Sequence, residues 1–146
     1  MPSDLSRFID AQRTEYEPAL SELRSGKKRG HWMWFIFPQI SGLGVSETSR
    51  YYGVANIDEA TEYLNHPVLG RRLIDCTNAV MAISDSTIDT IFGTPDNLKF
   101  ISSMSLFSCV KGAPEVFQCA LDRFNKGNRD RFTVEILSKQ ANNGII

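Results

Sequence analysis

Apolar residues recur at helical spacing through most of this chain. In the clearest case, the apolar positions advance by alternating steps of four and three residues, which is typical of an amphipathic helix packed on a core. These positions are Leu69, Leu73, Cys76, Val80 and Ile83. The spacing predicts a helix that starts at Pro67 and continues to about residue 83.

Helix start and stop residues predict the other elements. Ser, Thr or Asp is favoured at the N-cap, Pro in the first turn and Gly just past the last turn. On these rules, helices are predicted at about 4–13 after Ser3, from Pro18 to Gly26, from Asp58 to Asn65, within 84–93, from Pro95 to Gly112 with Thr94 as cap, from Pro114 to Gly127, and after Asp130 with Phe132, Ile136 and Leu137 on its apolar face.

The fold class follows from this inventory of elements. No segment alternates convincingly between apolar and polar residues, and no hairpin dipeptide is present. We therefore predict a mainly α fold in which residues 1–146 form a single compact domain of seven or eight helices. At most, a short extended segment is expected near 32–37.

The segment HWMWFIFPQ, residues 31–39, supports two interpretations. As a core segment it would bury its tryptophans, and Trp34→Ala would then mainly damage folding. As a pocket wall it would use the Trp faces to stack a planar ligand. If the segment is extended, Trp32 and Trp34 share one face, with His31 and Gln39 beside them. His31 would then be a general acid or a phosphate donor, because histidine changes charge near neutral pH.

Polar residues that follow the aromatic run supply the rest of this expected pocket. The segment 38–49 is an unusually long loop for a compact domain, and such loops tend to be functional. Its hydroxyls at Ser46 and Ser49 are expected near the pocket mouth. Three further polar residues share one helix face at positions i, i+3 and i+4, namely Lys99, Ser102 and Ser103. A stripe of this kind is equally typical of a solvent-exposed helix face.

Composition and charge restrict the partners. The chain is 42% hydrophobic and 23% charged, with a formal net charge of -1, which is typical of a packed globular domain and gives no field that would attract nucleic acid. Cations are nevertheless clustered at KKRGH, residues 27–31, and again between Arg123 and Arg131. If the two clusters converge they would bind a phosphate; otherwise they are solvated faces.

Several classes of protein are not indicated by the sequence. The longest apolar run, Trp32 to Pro38, is about a third of the roughly 20 residues that a membrane-spanning helix needs. The first residues lack the apolar segment of a signal peptide, so a cytoplasmic protein is expected. The three cysteines form no CxxC pair, and no H-E-x-x-H, G-x-S-x-G, Walker or G-x-G-x-x-G motif is present. Neither a metal nor a cofactor is expected.

Four segments carry a resemblance that extends from about Leu5 to Leu137. They are HWMWFIFPQISGLGVSETSRYYG, HPVLGRRL, IFGTPDNLKFISSMSLF and ALDRFNKGNRDRFTVEIL. They resemble a family of uncharacterised small bacterial and fungal proteins, a domain of unknown function that is sometimes labelled calpastatin. The resemblance implies a mainly helical single domain and no established activity. Inhibition of calpain is not expected, because such inhibitors are long disordered chains.

A more distant resemblance suggests a ligand. The order of the Ser-rich loop, Tyr51-Tyr52, an amphipathic helix, DNLKFISSM and FQCALDRF is similar to the NADAR family, whose name refers to NAD and ADP-ribose. The chain has no counterpart of that family's W-G-x-G segment. The resemblance implies a ligand site that includes Tyr52, and N-glycosidic hydrolysis with Glu47 as the best-placed carboxylate.

Two functions are therefore expected from the sequence. The first is an enzyme or binding protein for an ADP-ribose-like or other phosphorylated nucleotide ligand. The alternative is a non-catalytic protein-interaction module, in which the aromatic run is core and exposed aromatic residues contact a partner protein.

Overall fold

The computed structural model describes residues 4–142, which form nine helices joined by short connections. The helices are α1 (Ser6–Arg24), α2 (Met33–Ile36), α3 (Glu47–Tyr52), α4 (Ile57–Asn65), α5 (Leu69–Met81), α6 (Ile88–Phe92), α7 (Asp96–Ser108), α8 (Val116–Phe124) and α9 (Arg131–Asn142). Within this range the β structure is limited to one isolated parallel bridge between Ile40 and Val54. The mainly α prediction is confirmed.

Most predicted helices are present close to their predicted ends. The helix α4 ends at Asn65, before His66-Pro67, and α6 ends before Gly93, which has φ +73°. Asp130 caps α9, since its carboxylate accepts a 3.0 Å hydrogen bond from the Thr133 amide. The predicted caps at Asp58 and Thr94 are wrong, because Asn56 caps α4 and Pro95 precedes α7 without a side-chain cap.

The first two predicted helices are one helix. Pro18 lies inside α1 and does not start a new helix. Buried residues continue at helical spacing past the proline, from Phe8, Gln12 and Tyr16 to Ala19 and Leu23, so packing on the core outweighs the lost backbone hydrogen bond. Ser3, the predicted cap of this helix, lies outside the described residues.

The centre of the aromatic run is helical, and the short extended segment that the sequence allowed near 32–37 is not formed there. Residues Met33–Ile36 form the short helix α2, in which Ile36 N–H donates to the Trp32 carbonyl at 3.1 Å. Side chains in a helix no longer alternate between two faces. Trp32 is completely buried, whereas Trp34 is only partly buried. The two tryptophans therefore do not share one wall.

The helix α7 lies at the centre of the described structure and contacts α2, α4, α6, α8 and α9. Its side chains from Phe100 to Phe107 are all buried. Phe100 packs edge-on against Phe37, with ring centroids 5.1 Å apart, and Phe107 packs against Phe117. These contacts join the aromatic run to the helical core.

A backbone clamp fixes the loop between α2 and α3. Val54 N–H donates to the Gln39 carbonyl, and Ser41 N–H donates to the Val54 carbonyl, both at 2.8 Å. The clamp holds the start of the loop against the residues that follow α3.

Among the helices of residues 4–142, none combines the length and the apolar character that a membrane-spanning helix requires.

Candidate functional site

A cavity of about 710 Å³ lies where α2, the loop 39–46, α3, the first half of α7 and the start of α9 meet. Its volume is within the range of sites that hold cofactor-sized molecules. The segments that line it are far apart in the chain, at residues 34–53, 95–102 and 125–132. Packing of α7 and α9 therefore creates the site.

Aromatic rings line the cavity. Trp34, Tyr52 and Phe132 each come from a different helix. Tyr52 is held by a ring contact with Phe35 at 5.2 Å between centroids, whereas Phe132 is 60% exposed at the rim. Burial raises the pKa of Tyr52, with smaller contributions in the same direction from Tyr51 and Asp10, so its hydroxyl stays protonated at neutral pH.

Three cations face the same cavity, at Lys99, Arg129 and Arg131. Lys99 Nζ lies 4.5 Å from the centroid of the Trp34 ring and 3.4 Å from an Asp96 oxygen. Arg131 Nε lies 3.3 Å from Glu135 in an exposed pair, which contributes little and leaves the guanidinium available to an anion.

Arg129 connects the cavity wall to the end of α7. Its Nε–H donates to the Ser108 hydroxyl at 3.0 Å, and its Nη2 donates to the Ser108 carbonyl at 3.4 Å. The Asp130 amide donates to the Ser105 hydroxyl at 2.7 Å. These contacts hold the start of α9, and hence Arg131 and Phe132, against α7.

Asp130 is the carboxylate that lines the cavity. Its Oδ2 accepts hydrogen bonds from the Thr133 amide at 3.0 Å and from the Thr133 hydroxyl at 2.7 Å. Within the described residues, its Oδ1 has no hydrogen-bond partner. The cap thus orients a carboxylate with one oxygen available to a ligand or to water.

Two hydroxyls line the cavity at the start of α3, from its cap Ser46 and from Ser49 within the helix. Ser46 caps α3, because its Oγ accepts from the Ser49 amide at 3.1 Å. The Ser49 hydroxyl donates to the Ser46 carbonyl at 2.9 Å. Ser49 also lies close to the backbone of Gly44. A Cβ at position 44 would be 2.8 Å from Ser49 Oγ, so the packing favours glycine there.

Seven of the residues expected at a ligand site line this cavity. They are Trp34, Gln39, Ser46, Ser49, Tyr52, Lys99 and Ser102. Their part in binding remains a prediction.

His31 and Trp32 do not line the cavity, so the predicted wall of His31, Trp32 and Trp34 is wrong. Trp32 is sealed in the core, and its indole N–H donates to Glu22 Oε1 at 3.0 Å. His31 is exposed. The physical reason is the helical turn of α2, which points Trp32 toward α1 and Trp34 toward α7 and the cavity.

Glu47 and Ser103 also lie outside the cavity. Glu47 is exposed in the first turn of α3, which favours acidic residues. Ser103 is fully buried in α7, and its hydroxyl has no hydrogen-bond partner within residues 4–142. The positions assigned from the sequence to catalysis, His31 and Glu47, are therefore not at the cavity.

The KKRGH cluster does not converge with the second set of cations at this cavity. Lys28 Nζ forms a largely buried ion pair with Asp96 at 2.8 Å. The backbone amide of Lys28 donates to the Ile91 carbonyl. Glu22 accepts hydrogen bonds from the amides of Arg29 and Gly30. These contacts give the 27–31 segment a structural role, and of the two clusters it is the second that supplies cations to the cavity, beside Lys99.

Sequence reasoning missed several lining residues. Phe132 fits the apolar face of α9 in the sequence yet is exposed at the rim, together with Val45 and Leu98, which are 84% and 61% exposed. Asp130 was assigned only a capping role. A helix cap that falls between two arginines, in Arg129-Asp130-Arg131, was the signal available for this site. No group of three or more potential metal ligands occurs in the described part of the chain.

The comparisons with known proteins extend over most of the chain. Residues 2–137 match a family model described as protein of unknown function (DUF1810). The crystal structure of the conserved hypothetical protein Rv1873 from Mycobacterium tuberculosis is similar, with 46% sequence identity and a TM-score of 0.91 over 92% of this chain and 96% of that chain. No curated protein matches the chain. Because the family model extends over residues 2–137, this chain belongs to the DUF1810 family of proteins of unknown function.

Proposed function

We propose that the cavity binds a small phosphorylated ligand with a planar ring, of the nucleotide or ADP-ribose type. The observation that carries the proposal is the combination of aromatic and cationic side chains on one cavity of about 710 Å³. Trp and Tyr faces stack on planar rings, and Arg side chains bind phosphate in bidentate geometry. The distant resemblance to the NADAR family implies the same class of ligand.

Trp34 and the two arginines belong to different parts of the cavity lining. Trp34 and Gln39 come from the aromatic run, whereas Arg129 and Arg131 come from the segment that starts α9. Lys99 lies beside Trp34. This arrangement fits a ligand whose ring lies on Trp34 and whose phosphate contacts the α9 side.

Isothermal titration with AMP, ADP-ribose and NAD tests the proposal. We expect at least one of them to bind, and Arg131→Gln to weaken that binding about tenfold through loss of a charged hydrogen bond. Arg71→Gln is the matched control, because Arg71 is an exposed arginine of α5 outside the cavity and should leave affinity unchanged. No heat with any of the three ligands at about millimolar protein would reject the proposal and favour the protein-interaction alternative.

Asp130 supports a second candidate function, hydrolysis of the N-glycosidic bond of such a ligand. In this step Asp130 Oδ1 takes a proton from water, the water oxygen bonds to the anomeric carbon, and the carbon–nitrogen bond breaks. The base leaves with the bonding electron pair; adenine receives a proton from solvent, whereas the cationic nicotinamide of NAD leaves as a neutral molecule without one. Asp130 takes the place of His31 and Glu47 in this proposal because it lines the cavity and they do not.

Asp130→Asn separates catalysis from folding, because Asn is also a good N-cap. Chromatography of ADP-ribose or NAD incubated with the wild-type protein should show a released base. The Asp130→Asn variant should bind the ligand but release no base from it. Equal release by both proteins would remove Asp130 from the mechanism.

A further inference from the structure

Gln39 differs from the serine and asparagine side chains of the cavity. The Ser46 and Ser49 hydroxyls bond to each other at 3.1 Å, and the Ser102 hydroxyl donates to the Leu98 carbonyl. The side-chain amide of Asn125 donates to the backbone carbonyl of Asn128. The Gln39 side-chain amide has no hydrogen-bond partner among the described residues, although Gln39 is half-buried in the cavity wall.

The backbone of Gln39 is fixed. Its carbonyl accepts the 2.8 Å hydrogen bond from Val54, and its neighbours Pro38 and Ile40 are buried. A side chain that starts from a fixed, half-buried backbone loses less conformational freedom on binding than one on a mobile loop. Gln39 is therefore suited to selecting a ligand by hydrogen bonds.

A primary amide offers a donor and an acceptor side by side, Nε2 and Oε1. It pairs in bidentate fashion with a ring edge that places an amino donor next to a ring-nitrogen acceptor, as glutamine does with adenine. We propose that Gln39 determines specificity by selecting a ligand whose ring carries an amino group next to a ring nitrogen, an aminopurine such as adenine. This inference rests on the proposed function, since it assigns the ring end of the same ligand.

The test compares AMP with purine riboside 5′-monophosphate, which lacks only the 6-amino group. In isothermal titrations of the wild-type protein, AMP should bind about tenfold more tightly, the usual scale for one good bidentate pair. Gln39→Leu should bind the two nucleotides equally, with the affinity that the wild-type protein has for the purine nucleotide. Gln118→Leu, at a glutamine of α8 outside the cavity, should keep the tenfold preference.

A second variant controls for the possibility that the substitution alters the fold. Gln39→Glu has nearly the same shape and replaces the donor with an acceptor, so it should lose the preference for AMP while its circular dichroism spectrum is unchanged. Equal binding of both nucleotides to the wild-type protein, or a preference that persists in both variants, would overturn the role of Gln39 and leave the proposed function standing. Absence of binding by both nucleotides would instead overturn the proposed function and this inference together.

Discussion

Trp32 and Trp34 are two residues apart and lie in different environments. Trp32 is completely buried and donates its indole N–H to Glu22. Trp34 is partly buried, lines the cavity and lies beside the Lys99 ammonium group. The aromatic run is therefore core at one tryptophan and cavity wall at the other.

This difference predicts unequal effects of truncation. Trp32→Ala should reduce the free energy of unfolding by about 3 to 5 kcal/mol, because it leaves a large cavity in the core and removes one of the three hydrogen-bond donors to Glu22. Trp34→Ala should cost less, because part of its surface already faces solvent. Urea denaturation followed by circular dichroism measures both values. An equal loss in the two variants would contradict the assignment of Trp34 to the cavity wall.

Glu22 predicts a dependence of stability on pH. Burial alone would raise its pKa, but hydrogen bonds from the amides of Gly30 and Arg29 and from the Trp32 indole outweigh burial and lower the pKa below 4.5. A carboxyl whose pKa is lower in the folded state stabilises the fold above its unfolded pKa. That contribution is lost as the pH falls through the folded value.

Glu22→Gln should therefore be less stable than the wild-type protein by a constant amount between about pH 6 and 8. The difference should narrow as the pH falls below about 4.5, where the unfolded carboxyl takes up its proton. Denaturation midpoints across this pH range provide the measurement. Glu15→Gln is the control, since Glu15 is exposed on the same helix and should show no such pattern.

At the scale of elements, local sequence signals and tertiary packing contributed differently to where helices begin and end. The caps and breakers around α4, α6 and α9 act within a few residues, so the sequence predicted where these helices begin or end to within a few residues. Pro18 misled the prediction, because a proline at an exposed position of a helix is tolerated when the residues on both sides pack on the core. The helix α2 was missed because four residues are too few to show a helical period.

The contact between α4 and α5 depends on Gly70. A Cβ at this position would lie 1.9 Å from the Leu64 carbonyl oxygen, which is backbone and cannot move aside as a side chain can. Gly70→Ala should therefore destabilise the protein by at least about 1 to 3 kcal/mol, although alanine is the better helix former. Thermal denaturation shows whether Gly70→Ala lowers or raises the stability of the protein. Arg71→Ala, at the next and exposed position, should be close to neutral, and a stabilised Gly70→Ala would show that the two helices can separate without cost.

For the whole molecule, α7 is the centre of the described structure. It is buried from Phe100 to Phe107 and contacts five other helices, whereas α9 buries only Thr133 among its described residues. Amides in core helices exchange through global unfolding, and amides in weakly packed helices exchange through local opening.

Hydrogen exchange should therefore be slowest for the amides of residues 100–107 and much faster for those of α9. Mass spectrometry of exchanged peptides measures both. A saturating nucleotide should slow exchange at the start of α9, because Arg129 and Arg131 line the cavity and contact the phosphate in the proposed function. Protection of α9 equal to that of α7 without ligand would contradict the assignment of α9 as the weakly packed wall of the cavity.

By itself, the sequence determined the helical class, most helix ends and the choice of polar and aromatic residues around Gln39, Ser46, Ser49 and Lys99, because periodicity, caps and composition act locally. Only the tertiary structure decided which tryptophan is sealed, that Lys28 of KKRGH is used in an ion pair with Asp96, and that Asp130, Arg131 and Phe132 line the same cavity as Trp34. Those outcomes depend on the turn of a four-residue helix and on the packing of α9 against α7, which bring Trp34 and the start of α9 to one cavity although they are more than 90 residues apart in the chain. No local pattern carries information over that separation, so the cavity exists only once the helices are packed.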